Sequence, residues 1–507
     1  MRNRKKCAIL ISSIQKTDAF TESGDILTKA LSLFRHRRSD IDMTEGGIFG
    51  NLFRFALPLV IGNLFQQLYN MVDTWVIGQT GNNAAYAAVG SVSPIINIFI
   101  GFFLGLSSGV GVIISQYYGA GDTKKVKTAV HTSVTLTLIL GAVFTVLGLA
   151  MTPLVTQLVF GAADSGTTVA GEVSAGGARM IEAARTYLFI YFAGVIGLMF
   201  YNMGSGILRA IGDSEHPFYF LCVSAVTNII LDLVFVFVFN MGVAGVALAT
   251  VIAQMLSAVL TVVTLLRSKT CVKVELRSLG LDKAMLGKVC RVGLPAALQM
   301  ALTAFANVFV QRYIAGTTGP AGESEACLSG WTTYSKIDAV IFLPAQSLAL
   351  AATTFVGQNL GKGNVKRAKK GALVAFLMAL ASSAVLVSAV VILAPCLASL
   401  INGDALVVQY AVTFMYHITP FMLLCSVNQI FAGALRGAGN TRAPMIIMLS
   451  TFVGFRQLYL FIMSNYISND PIPVGMGYPA GWVVCAAVTI LYYAYFSRKK
   501  FDKTKLV

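Results

Sequence analysis

The chain has 507 residues, of which 56% are apolar and only 12% charged, with a formal charge of +16. Soluble globular chains carry about 25% charged residues, so a chain this long at half that value is neither an ordinary soluble enzyme nor a disordered regulator. The basic excess suggests a nucleic-acid partner, but its placement along the chain assigns it to membrane topology instead.

Residues 1–42 are polar and basic. The patch Cys7 to Ile14 is short and has no cleavage site after it, so it does not read as a secretory signal. Met43-Thr44-Glu45-Gly46 leads straight into the apolar region and is a natural start; otherwise residues 1–42 form a cytoplasmic arm. Twelve apolar segments of spanning length follow: 52–77, 88–114, 129–153, 185–207, 217–240, 243–266, 289–314, 333–356, 371–395, 410–432, 443–465 and 478–496. About 20 residues cross a bilayer as a helix. Backbone groups in lipid must bond within their own segment, so each is predicted helical. The ~10-residue alternation of a membrane β-barrel is missing.

Most of the 38 Lys and Arg fall in the terminal segments and the even-numbered connections, with only Arg179 clear of the helices on the other side. The bias predicts cytoplasmic termini in a cell membrane. It also removes the case for a nucleic-acid partner. The eight cysteines (Cys7, Cys222, Cys271, Cys290, Cys327, Cys396, Cys425, Cys485) form no Cys-x-x-Cys pair and read as buried free thiols. The four histidines are too scattered for a metal cluster. Gly357 to Gly363 is one residue short of a phosphate loop and lacks its Ser or Thr, so no nucleotide cofactor is expected.

The chain repeats itself. Leu57-Pro58 and Asn70 match Leu294-Pro295 and Asn307. Gln116-x-x-Gly119-x-Gly121-Asp122 matches Gln358-x-x-Gly361-x-Gly363-Asn364. Gly206-x-Leu208-Arg209-x-x-Gly212-Asp213-Ser214-x-x-Pro217 matches Gly433-x-Leu435-Arg436-x-x-Gly439-Asn440-Thr441-x-x-Pro444. The offset between copies is smaller after the third span than before it, so the first copy is longer there, and the excess falls in the Gly/Ala-rich stretch 161–179. Six helices per copy return the chain to its starting side. The expected fold is thus an all-α membrane protein of 12 transmembrane helices, two six-helix repeats related by a pseudo-two-fold along the membrane normal. The expected divisions are an extension at 1–50, a first lobe at 51–267, a basic linker at 268–288, a second lobe at 289–497 and a basic tail at 498–507. In the repeated loops, a glycine turn ends one helix, and Asp or Asn followed by Pro starts the next. Arg209, Gly212, Pro217, Arg436, Gly439 and Pro444 are accordingly structural or gating candidates.

Three carboxylates fall within spans: Asp73, Asp232 and Asp338. Ionisable groups at such depth are costly, so each is a functional candidate. At ~1.5 Å per residue, Asp73, Asp232 and Thr250 all lie roughly 9–12 Å below the same end. Asn228 is one helical turn from Asp232 on the same face. These four make an all-oxygen set that suits a hard cation such as Na+ or a shared proton, because two acids close together in low dielectric resist simultaneous ionisation. At the repeat offsets, Asp73, Asn228 and Asp232 become Val310, Phe455 and Tyr459, so the second half is expected to lack this set. Gln66 and Asn70 share a face with Asp73 and are expected to line a chamber, with Gln299 and Asn307 on its opposite wall and Asp338 drawing a cationic solute.

The doubled motifs, above all Gly-x-Leu-Arg-x-x-Gly-[Asp/Asn]-[Ser/Thr]-x-x-Pro, resemble those of the MATE (multidrug and toxic compound extrusion) family over roughly residues 45–497. The resemblance implies a non-enzymatic, cofactor-free antiporter exporting organic, cationic and amphipathic compounds in exchange for H+ or Na+. It assigns ion coupling to Asp73, Asn228, Asp232 and Thr250. The partners expected are small organic substrates and the bilayer, with the chain a monomer. A flippase for a lipid-linked precursor is the alternative, supported only by Arg312 and Arg456.

Overall fold

The computed structural model describes residues 41–79, 83–164, 175–317, 323–499 and 501. The expected extension before residue 41 and most of the tail lie outside them. All regular structure among the described residues is helical. The helices are α1 (Ile48–Gln79), α2 (Asn83–Gly119), α3 (Thr123–Asp164), α4 (Ala175–Ala193), α5 (Val195–Ala210), α6 (Glu215–Leu233), α7 (Gly242–Arg267), α8 (Lys283–Ala315) and α9 (Ser324–Gly361). Then come α10 (Val365–Ile401), α11 (Ala405–Ile418), α12 (Leu423–Gly437), α13 (Arg442–Leu449), α14 (Arg456–Ile462), α15 (Pro471–Gly475) and α16 (Gly477–Lys499). Among the described residues eleven spans are long and apolar enough to cross a bilayer, and the pair α4 and α5, bent by 48° at a one-residue break, makes a twelfth when taken as one span. Ile392 is 76% exposed and Leu491 71%. Such side chains on the outside of a bundle are at rest only against lipid.

Departures from the expected limits have local causes. The third span runs on to Asp164 and α4 begins at Ala175, so the expected loop 161–179 is helical at both ends; residues 165–174 lie outside the described residues. The fourth span breaks at Gly194, where Val251 of α7 occupies the place a Cβ would need. The tenth span tightens to a 3-10 turn at Thr419–Met422, where Pro420 has no N–H to give the helical ladder. Of the cysteines, Cys327, Cys425 and Cys485 are buried free thiols, but Cys222 and Cys271 are part-exposed and Cys290 is exposed, which corrects the expectation of burial for those three.

Each repeated loop is one device built four times. Gly121, Gly212, Gly363 and Gly439 all adopt positive φ, from +72° to +100°. The N–H of the following Asp or Asn bonds back across the turn: Asp122 to Tyr117 O, Asp213 to Leu208 O, Asn364 to Asn359 O and Asn440 to Leu435 O. This is the left-handed helix stop that glycine makes inexpensive. The same Asp or Asn then caps the next helix, accepting from the backbone N–H of Lys125, His216, Arg367 and Ala443 respectively.

The two repeats meet along the middle of the molecule. The backbones of α2 and α8 approach so closely that a Cβ on Gly109 would overlap Gly293. Where α2 crosses α9, a Cβ on Gly119 would strike Gln358 O, and one on Gly361 would strike Gln116 O. Near this crossing the glutamines exchange bonds between repeats. Gln116 Nε2 donates to Gly437 O at 2.9 Å, and Gln358 Nε2 donates to Ala210 O at 2.8 Å. A strap at residues 41–46 lies over the same end. Ile41 N donates to Gly212 O in the first repeat. Met43, fully buried, receives Asn359 Nδ2 at 2.9 Å from the second. Arg367 Nη1 donates to Gly46 O at 2.8 Å. The basic end of the bundle is therefore closed.

Candidate ion-coupling and solute sites

In the first repeat, Asp73 of α1, Asn228 and Asp232 of α6 and Thr250 of α7 come together: the side chains of Asp232, Thr250 and Asn228 all approach the Asp73 carboxyl. Asp232, Asn228 and Thr250 are 0%, 1% and 7% exposed. Asp73 is half-buried and forms the open side. Thr250 Oγ1 donates to Val246 O at 3.0 Å, which leaves its lone pairs for a cation or for the proton of a neighbouring acid. The approach is close, yet both Asp232 oxygens, Asp73 Oδ1 and both polar atoms of Asn228 close no well-directed hydrogen bond. Buried polar atoms are normally paired. A converging set of unpaired oxygens fits a bound cation or a proton held between the acids.

Two tyrosines surround this set and escape a reading limited to acids and amides. Tyr69 lies beside Asp73 and Gln66, and Tyr187 beside Asp73, Asp232 and Thr250. The signal for Tyr69 was available, because it precedes Asp73 by one helical turn. The same Tyr-x-x-x-Asp spacing recurs at Asp338 of α9, where Tyr334 donates to Oδ1 at 3.1 Å.

The second repeat carries a different cluster. Arg456 is 2% exposed, and its Nη2 donates to Asn307 Oδ1 at 2.8 Å. Its guanidinium lies 4.8 Å from the Tyr478 ring centroid and 5.5 Å from that of Phe452. Trp331 and Trp482 flank Tyr478 at 5.5 and 5.6 Å. The constant offset had placed Phe455 and Tyr459 opposite Asn228 and Asp232. The wide π turn Ser450–Phe455 inserts one residue and corrects this. Ser224 and Thr451, the latter in the first part of the turn, are both buried at the original offset; past the turn, Asn228 and Asp232 align in burial with Arg456 and Leu460, whereas Phe455 is 38% exposed.

The chamber candidates separate. Gln66 is half-buried and Asn70 exposed, both on the open side of α1 near Asp73, and Asp338 is part-exposed. Gln299 is enclosed rather than lining a chamber: its Nε2 meets Met448 Sδ at 2.8 Å and its Oε1 receives Arg436 Nη1 at 3.5 Å. Asn307 serves Arg456. Among the loop candidates, Gly212, Pro217 and Pro444 are buried and Gly439 and Arg209 part-exposed. Arg436 ends α12 but is only 4% exposed and turns inward to Gln299.

Up to twelve candidate spans among the described residues, in two like repeats around a closed end and with a pair of acids held together inside the first, fit a membrane transporter. The profile of the MatE family matches twice, over residues 58–234 and 295–462. The chain belongs to that family, whose members are transport proteins and not enzymes. It is 27% identical over 468 residues to the probable multidrug resistance protein YoeA of Bacillus subtilis, covering 90% of this chain and 96% of that one. The multidrug export protein MepA of Staphylococcus saprophyticus is 23% identical over 477 residues, 91% of this chain and 97% of MepA. A multidrug resistance MATE family transporter of the MOP superfamily, solved in an outward-facing conformation, superposes with a TM-score of 0.80 at 25% identity, covering 91% of this chain and 98% of that one. These likenesses do not favour the flippase alternative, which is corrected to a transporter exporting compounds.

Proposed function

We propose that the chain is a secondary antiporter that exports organic, cationic and amphipathic compounds in exchange for H+ or Na+ by alternating access. The observation that carries this reading is the convergence of Asp73, Asn228, Asp232 and Thr250, in which oxygens of Asp73, Asn228 and Asp232 close no hydrogen bond. A cation or proton satisfies those oxygens; its release leaves two acids in low dielectric, a state that a change of conformation relieves. The basic end, closed by the paired glutamines and the strap, is the cytoplasmic end and carries both termini, in accord with the Lys and Arg bias. Gln66, Asn70 and Asp338 line the solute route between lobes bounded at 51–267 and 289–497. The transporter works as a monomer in the cell membrane. The test is ethidium efflux from proteoliposomes under an imposed pH or Na+ gradient, for wild type, Asp73→Asn and Asp232→Asn. Efflux driven by one gradient and lost in both variants is expected. Efflux unchanged in both variants removes the coupling role from the first repeat.

A further inference from the structure

Arg456 has no part in ion coupling, and the fold does not explain its charge. It sits near the middle of a 26-residue span, Arg442–Ile467. Its surroundings come from three elements: Asn307 on α8, Phe452 in its own span and Tyr478 on α16. All three are uncharged. No acid pairs with Arg456 among the described residues, and its Nε has no hydrogen-bond partner. A guanidinium presents five donors in a planar fork that matches a carboxylate. Here one edge holds Asn307 and the Nε is unclaimed. Asn307, Tyr478 and Asp338 are part-exposed, so the guanidinium lies one side chain behind open surface. The part-exposed Tyr478 covers the guanidinium at 4.8 Å, and the buried Trp331 and Trp482 pack against its ring from behind. A tyrosine held in this way suits a flat ring laid on its exposed side.

We propose that Arg456 anchors the carboxylate of an aromatic compound carried by the second repeat, with Tyr478 holding the ring and its tryptophan neighbours fixing Tyr478 in place. The first repeat then handles the coupling ion and the second reads an anionic group on the cargo. This inference rests on the export reading above and narrows its substrates to include zwitterions: Asp338, which Tyr478 also borders, faces the positive end of such a molecule.

The test uses purified full-length protein and two probes, rhodamine B with its free carboxylate and rhodamine B methyl ester, with binding read by fluorescence anisotropy. The wild type is expected to bind the acid at least about tenfold tighter than the ester, a difference of about 1.4 kcal/mol. Arg456→Gln is expected to abolish that preference while leaving ester affinity within about twofold, and Arg456→Lys, which keeps the charge and loses the fork, to fall between. Equal wild-type affinity for acid and ester overturns the proposal without any variant. Equal weakening of both probes in Arg456→Gln also overturns it, since that is what a purely structural tether to Asn307 would give. Because binding needs no gradient, these outcomes are separate from failure of the antiport reading, which shows as absence of gradient-driven efflux of either dye.

Discussion

At matched depth the two repeats hold opposite chemistry. The first gathers Asp73, Asn228, Asp232 and Thr250 around unpaired oxygens; the second gathers Arg456, Asn307 and aromatic rings around an unpaired guanidinium nitrogen. Where the backbone itself sets the requirement, both copies keep the same residue type. All four turn glycines need positive φ, and Gly119 and Gly361 both face a carbonyl of the other repeat. A side chain pointing into a repeat's interior answers only to its own neighbours, so the interiors are free to diverge. Duplication here has preserved the hinge and crossing geometry and released the sites.

The largest effect expected is at the acids. Asp73→Asn or Asp232→Asn should weaken ion binding by about 100-fold, some 2.7 kcal/mol, and bring gradient-driven efflux to background. Arg456→Asn should leave the ion dependence of efflux unchanged. If both changes alter ion dependence alike, the contrast between the repeats fails.

Next is the shared axis. Gly109→Leu and Gly119→Leu place side chains where Gly293 and Gln358 backbone already lies. Each should destabilise by more than about 3 kcal/mol, as overpacking against backbone does. Gly50→Ala, with nothing within 4 Å of its Cβ, is the control. Thermal unfolding in detergent reads all three, and wild-type midpoints for the first two would mean the repeats do not meet as described.

Much of this was legible in the sequence, for identifiable reasons. Span number follows from hydropathy because lipid leaves no other way to satisfy the backbone. The four turns follow from Gly-[Asp/Asn], where one residue supplies the conformation and the next the cap. Asp73, Asp232 and Thr250 share a depth that arithmetic at 1.5 Å per residue gives directly. The counterpart of Asn228 was misplaced because a π turn leaves no signature in composition, and a fixed offset carries the error past it. Gln299 was misassigned for a different reason: a polar residue on a helix face looks the same in sequence whether it lines a chamber or receives a buried arginine.

A smaller effect tests the two-fold clasp. Gln116→Leu removes the bond to Gly437 O, and Gln358→Leu removes the bond to Ala210 O together with the one its Oε1 accepts from Met43 N of the strap; each bond is worth about 1 kcal/mol. Loss of the inter-repeat bond should favour opening of the basic end by roughly fivefold in either variant, and Gln358→Leu, which also frees the strap, should open it at least as far as Gln116→Leu. Spin-label distances across that end measure the populations. A large effect from one glutamine and none from the other would show that the repeats do not share the closure.

The smallest effect separates Asp122 from Asn364, which cap equivalent turns. Asp122 Oδ1 accepts from Lys125 N at 3.0 Å and its Oδ2 lies 2.7 Å from Lys125 Nζ. Asn364 Oδ1 accepts from Arg367 N at 3.2 Å without a charge. The Lys125 side chain and amide hold the Asp122 carboxyl below the usual carboxylate range. A group whose folded value is lowered stabilises above its unfolded value, about pH 3.9 for Asp, and loses that contribution as pH falls through the folded one. The first turn should therefore loosen on acidification and the second should not. The pair is solvent-exposed, so water and salt screen it and the effect is slight. Hydrogen exchange at residues 123–126 and 365–368, corrected for the intrinsic rate and followed from neutral pH to below the Asp range, should show protection falling only in the first segment. Asp122→Asn should make the two segments respond alike, and a wild-type protein in which both already do would leave the charge at Asp122 without a role in the turn.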